Sequence, residues 1–114
     1  PMSAAVRAGY DAPFPDDTFC AGPRAMPGLV PTSPDDPATE ANRAAWAVLG
    51  RSTAPMLVAF SDSDPITGAM APVFRSQMRG AQGIDHPTIH DAGHFLQEDA
   101  GAELAAHIVR FLAG

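Results

Sequence analysis

The stretch that most constrains the fold is Pro55-Met56-Leu57-Val58-Ala59-Phe60, an unbroken apolar run that ends abruptly in Ser61-Asp62-Ser63-Asp64-Pro65. It has the length of a strand. Without polar alternation it reads as a strand buried on both faces, the pattern of a parallel sheet covered by helices. The flanking periodicities agree. Asp36 can accept the free amide hydrogens of a helix start, Pro37 suits the first helical position, and Glu40 favours the positive end of the dipole. Ala41, Ala44, Ala45, Val48 and Leu49 then fall at i, i+3, i+4, i+7 and i+8, with Gly50 as the expected stop. Met70, Val73, Phe74 and Met78 mark a second helix over residues 67–79, ended by Gly80 and Gly83. A short strand over 86–90 comes next, and Leu104, Ile108, Val109 and Leu112 mark a last helix over 99–113. From residue 38 the order is therefore helix, strand, helix, strand, helix, an α/β sheet with right-handed crossovers. Two strands bury little and leave both edges unpaired, so further strands are expected upstream.

Before residue 38 the reading changes. Eight of the chain's twelve prolines fall in this region, which predicts loops and short helices. Met2, Ala5, Val6 and Gly9 have helical spacing. Tyr10 to Asp17 is interrupted by Pro13 and Pro15, and Asp16 or Asp17 can cap the next turn. Residues 17–30 are expected to be largely irregular, with at most a short helix that Pro27 breaks.

Charge and cysteine usage exclude several functions. The net charge is −6 and all seven basic residues are arginines scattered along the chain, so no basic stripe offers a nucleic-acid footprint. A single cysteine, Cys20, excludes an internal disulfide framework and fits a reducing cytoplasm. No run approaches the roughly 18 apolar residues of a membrane helix, and no signal-peptide pattern opens the chain. The first residue is Pro1 rather than Met, which reads as a cut, processed or truncated chain.

The residues suited to chemistry lie where open parallel sheets place them, past the carboxyl ends of the strands. Asp64 follows the first strand, and His94, in Asp91-Ala92-Gly93-His94-Phe95-Leu96-Gln97-Glu98-Asp99, follows the second. Adjacent strands lie about 4.8 Å apart, so Asp64 can reach the imidazole, fix its tautomer and stabilise the imidazolium. Turn chemistry alone also explains an Asp-Pro and a loop histidine. Asp62 competes for the acid role. His86 and His90 are weaker candidates, His90 reading as structural or partly exposed. His86, His90, Asp91 and His94 crowd together, but no cysteine partner or HExxH helix supports a metal, and no cofactor is expected. Ser61 and Ser63 lack the Gly-x-Ser-x-Gly elbow of a nucleophile. Trp46 reads as packing, and from composition alone Met26, Pro27 and Val30 are simply core.

Three segments carry a resemblance. Tyr10-Asp11-Ala12-Pro13-Phe14-Pro15-Asp16, Ala21-Gly22-Pro23-Arg24-Ala25-Met26-Pro27 and Ala92-Gly93-His94-Phe95-Leu96-Gln97-Glu98 resemble the C-terminal part of haloalkane dehalogenases, enzymes of the α/β-hydrolase fold, and the similarity runs over essentially the whole chain. The Ala-Pro-Phe-Pro-Asp stretch is the more specific; Gly-His-Phe is shared by many α/β-hydrolases. The resemblance implies that residues 1–37 end a cap region and connect it to the main domain, and that 38–114 form the C-terminal part of the core. It implies an aspartate nucleophile that displaces halide and forms an alkyl-enzyme ester, with water and a small halogenated hydrocarbon as reactants. His94 then matches the base that activates water and Asp64 its supporting acid. Met26, Pro27 and Val30 match a segment lining the substrate pocket, although many relatives carry Phe in place of Met26. The nucleophile and its neighbours belong to the N-terminal half of such a fold and have no match here, and Trp46 does not match a halide-binding tryptophan. The 114 residues alone are expected to be inactive. Two alternatives remain at this point: another α/β-hydrolase activity, epoxide hydrolase or esterase, and a non-catalytic remnant that acts as an association module through exposed edges and apolar helix faces.

Overall fold

The computed structural model describes residues 2–114. The chain divides into two compact units between Ala44 and Ala45.

The first unit is a succession of short helices. Helix α1, Ala4–Asp11, is capped by Ser3, whose hydroxyl accepts the Val6 N–H at 3.3 Å. Asp16 caps the next turn: its Oδ1 accepts the Thr18 N–H at 2.8 Å and the Thr18 hydroxyl at 2.6 Å. From there a 3-10 turn (Asp17–Cys20), helix α2 (Ala21–Ala25) and a second 3-10 turn (Met26–Leu29) run on without a break. The expected irregularity of residues 17–30 is thus corrected, and Pro27 does not interrupt the run. Pro23 and Pro27 each lie in the first turn of their own helix, where a missing N–H costs least.

Helix α3 covers Thr39–Arg51. Asp36 starts it by accepting the Ala38 N–H on its carboxylate at 2.8 Å and the Thr39 N–H on its carbonyl at 2.9 Å. Gly50, expected just past the end, lies inside the helix. A Cβ there would meet the Gln77 carbonyl oxygen at 3.4 Å, an ordinary contact distance, and the helix runs on through Arg51, so the glycine is not a stop.

In the second unit, β1 (Phe60–Ser61) pairs in parallel with β2 (Thr88–Ile89), in the register Phe60↔Thr88 and Ser61↔Ile89. The two predicted strands, their parallel sense and their helical crossover are present, but the ladder is shorter than the apolar runs. Upstream of β1 the backbone is bonded differently: the Met56 N–H donates to the Gly80 carbonyl at 2.9 Å, and the Val58 N–H donates to His86 Nδ1 at 3.3 Å. The crossover contains α4 (Met70–Gln77) and a 3-10 turn (Arg79–Ala81). Helix α4 stops before Gly80 because Met78 turns extended (φ −91°, ψ 117°) and drives its side chain into the core, where it is 1% exposed. Gly80 accompanies it because a Cβ there would come 2.0 Å from the Ala54 carbonyl oxygen.

Val58, Met78 and Ala81 form the buried centre, with Trp46, Met56, Phe60 and Phe74 packed around it. Trp46 stacks on Phe74 at 5.2 Å, and Phe60 meets the same ring at 6.2 Å, offset geometries that favour aromatic pairs. The last helix is two: α5 (Leu96–Asp99) and α6 (Gly101–Ala113), separated where Ala100 leaves helical geometry (φ −137°, ψ 38°). On α6, Ile108, Val109 and Leu112 remain exposed. Among the described residues no helix is long and apolar enough to cross a membrane.

Candidate functional site

Both polar loops emerge from the same end of the two-stranded sheet. After Ser61 the ladder continues for one more bond, the Asp62 N–H donating to the Ile89 carbonyl at 3.0 Å, and then the chain turns. Asp64 organises that turn. Its Oδ1 accepts the N–H groups of Ile66 (2.8 Å) and Thr67 (3.1 Å), and its Oδ2 accepts the Thr67 hydroxyl. Gly68 closes over the same residue so tightly that a Cβ there would lie 2.6 Å from the Asp64 carbonyl oxygen.

The loop after β2 brings His94 to this carboxylate. Asp91 takes the left-handed conformation at φ 56°, one that Asp tolerates better than most residues, and Ala92 is buried behind it. His94 Nδ1 then donates to Asp64 Oδ1 at 3.0 Å. With the proton held on Nδ1, Nε2 keeps its lone pair. The Asp64 side chain is only 3% exposed and the His94 side chain 32%, so the acid is enclosed while the imidazole still reaches solvent. The imidazole edge packs against Phe95 at 5.0 Å between ring centroids. The Thr67 hydroxyl, with the Thr67 and Ile66 N–H groups and His94, holds the Asp64 carboxyl well below the usual carboxylate range, outweighing the opposing effect of burial. The result is a fixed negative charge beside an imidazole whose free nitrogen can take a proton. This arrangement can orient a base and stabilise its protonated form.

Asp62 faces elsewhere. It accepts from His90 Nδ1 at 2.8 Å, forming a second Asp–His pair between the same two loops, with side chains 35% and 72% exposed. That hydrogen bond, reinforced by the charges of Asp62, Glu103 and Asp91, raises His90 above the ordinary histidine value; in turn His90 lowers Asp62. His86 is occupied on both nitrogens: Nδ1 accepts from Val58 and Nε2 donates to the Ala81 carbonyl at 2.9 Å, a structural tie. Ser61 Oγ donates to the Gly93 carbonyl at 2.7 Å, and Ser63 Oγ to Asp62 at 3.1 Å. Met26, Pro27 and Val30 lie in the first unit, at and just after its second 3-10 turn, and the large apolar side chains of Met26 and Val30 are exposed.

Sequence reasoning passed over Thr67, Gly68 and Asp99. The pattern Asp64-x-x-Thr67, an acid followed three residues later by a hydroxyl, is the signal that points to Thr67. Gly68 and Asp99 carry no comparable local signal, because the groups they meet are set by the fold.

No protein-family model matches the chain. Curated relatives do match. Over 108 residues the chain is 56% identical to haloalkane dehalogenase 1 of Mycobacterium bovis, which covers 95% of this chain and 36% of that protein. It is 54% identical over 105 residues to the haloalkane dehalogenase of Mycobacterium marinum (92% of this chain, 35% of that protein). It is 47% identical over 111 residues to that of Psychrobacter cryohalolentis (97% and 37%). The chain spans about a third of the length of the curated relatives it matches. Similarity of this level runs over nearly all of this chain's residues and matches it to the C-terminal part of haloalkane dehalogenases.

Proposed function

We propose that this chain supplies the base and its supporting acid to a haloalkane dehalogenase-like hydrolase, as the C-terminal portion of an α/β-hydrolase fold whose remaining strands and nucleophile come from an N-terminal half. In this reading a carboxylate of that half attacks the halogen-bearing carbon, the carbon–halogen bond breaks with its electron pair, and an alkyl ester forms. His94 Nε2 then takes a proton from water as the water oxygen attacks the ester carbonyl. Asp64 keeps the imidazole turned and offsets its positive charge. Met26, Pro27 and Val30 contribute apolar surface to the substrate pocket. The substrate is a small halogenated hydrocarbon, the co-reactant is water, and the free Cys20 suits a cytoplasmic setting. Without the nucleophile the 114 residues release no halide.

The observation that carries this reading is the 3.0 Å bond from His94 to a nearly enclosed Asp64, made past the ends of two parallel strands in a chain that matches dehalogenases. It is tested by comparing Asp64→Asn with Asp62→Asn in the full-length protein. An amide at 64 removes the charge that orients the base, and related acid-to-amide changes cost up to about 10⁴ in turnover. Asp62→Asn alters an exposed pair and leaves most activity. The reverse order of losses would move the acid role to Asp62.

A further inference from the structure

The peptide unit just before His94 is held in an unusual way. Gly93 belongs to neither strand nor helix, yet both of its backbone polar groups are bonded, and both partners are side chains from other elements. Ser61 Oγ, from the end of β1, donates to the Gly93 carbonyl at 2.7 Å. Asp99 Oδ2, from the last residue of α5, accepts the Gly93 N–H at 2.9 Å. The backbone on either side has little regular structure to stiffen it: Asp91 stands at φ 56° and Phe95 at φ −92°, ψ 58°. Ser61 is itself 7% exposed and fixed opposite Ile89 in the parallel register, so its hydroxyl is a rigid reference point. The Asp64 carboxylate is tied down separately by Ile66 and Thr67. Two side chains on Gly93 thus complete a frame in which acid and base are each anchored apart from their mutual bond.

We propose that Ser61 and Asp99 are positioning residues for His94: by gripping the C=O and N–H of Gly93 they set the imidazole so that Nδ1 meets Asp64 and Nε2 is presented as the base. Its mechanistic half rests on the reading of His94 as the base for ester hydrolysis. Neither residue touches the reacting atoms, so their loss acts on geometry. A base displaced by about 1 Å slows the step it serves by up to roughly a hundredfold, while the earlier displacement of halide, which needs no base, keeps its rate.

The test uses the full-length protein with Ser61→Ala, Asp99→Ala and the conservative Ser61→Thr and Asp99→Asn, which keep a hydroxyl and an acceptor oxygen. Nitrogen-15 NMR of the imidazoles reads the tautomers, and rapid quench with a short 1-haloalkane separates ester formation from ester hydrolysis. His86 is an internal reporter of folding, since its tautomer is fixed by Val58 and Ala81. The expected result is an unchanged His86, a His94 no longer confined to the Nδ1–H form, and ester hydrolysis slowed roughly tenfold to a hundredfold with ester formation unchanged, restored at least in part by the conservative variants. If Ser61→Ala loses the His86 signature, Asp99→Ala decides, because its side chain lies at the surface. Folded alanine variants with a wild-type His94 tautomer or wild-type ester hydrolysis would overturn the proposal. If the unaltered protein forms no ester at all, the dehalogenase reading fails, and the tautomer spectra still report on whether Gly93 is the grip.

Discussion

Gly68→Ala isolates the loop that holds Asp64. Gly68 is not among the glycines of positive φ, so alanine is not opposed by its backbone conformation. The obstacle is contact: the new Cβ would lie 2.6 Å from the Asp64 carbonyl oxygen and 3.5 Å from the Asp64 Cβ. To reach ordinary contact, one wall must retreat by about 0.8 Å, and both walls are backbone of the same turn. Overpacking of this kind costs about 1–3 kcal/mol, and for a chain of this size each kcal/mol lowers Tm by roughly 4 °C. A shift of this size also stretches the 3.0 Å bond to His94 beyond hydrogen-bonding range unless the imidazole moves with it. Thermal or urea unfolding gives the first quantity, and the His94 imidazole nitrogen spectrum the second. Gly9→Ala is the matched control. It lies within α1 with nothing within 4 Å of the new methyl, and it should be neutral or gain up to about 1 kcal/mol. A Gly68→Ala protein as stable as its parent, with an unchanged His94 spectrum, would refute the tight turn around Asp64.

The core and the second ion pair carry further expectations. Met78→Ala empties the centre of the cluster formed with Val58 and Ala81 and should cost about 2–5 kcal/mol in denaturant unfolding. The His90 imidazole should titrate above its ordinary value of 6.5 and fall back toward it in Asp62→Asn, as read by proton NMR. Because the folded value is raised, the His90 contribution to stability is complete below about pH 6.5 and is lost as the pH rises through the folded pKa. On the acid side, Asp62 and Asp64 are both depressed. Their stabilisation is present above the ordinary carboxylate value of 3.8 and is lost as the pH falls through their folded values. The high exposure of His90 keeps its share small.

What the sequence discloses about this chain, and what it conceals, divides along the range of the interactions involved. The parallel pairing of residues near 60 and 88 is legible because an apolar run without alternation has few other homes. The approach of Asp64 and His94 is legible for a related reason: each is a titratable side chain set a few residues beyond one of two neighbouring strands. The proline-rich segment misleads, since Pro27 looks like a breaker until the separate helix starts are known. Gly50 misleads likewise, because a glycine at the end of an amphipathic pattern suggests a stop, yet the helix runs through it to Arg51. Ser61 shows the same limit in the site. Its lack of a nucleophile elbow is visible in sequence, but its bond to Gly93, 32 residues away, is a product of the fold.

In the proposed reaction His94 is the base that frees the product from an alkyl-enzyme ester. The most direct measurement is a burst experiment on His94→Gln in the full-length protein with the haloalkane in excess, tracking halide release alongside the intact mass. The expected result is one halide per protein and a lasting mass increase of one alkyl group less the hydrogen it replaces. Continued halide release through many turnovers, without an accumulating adduct, would contradict it.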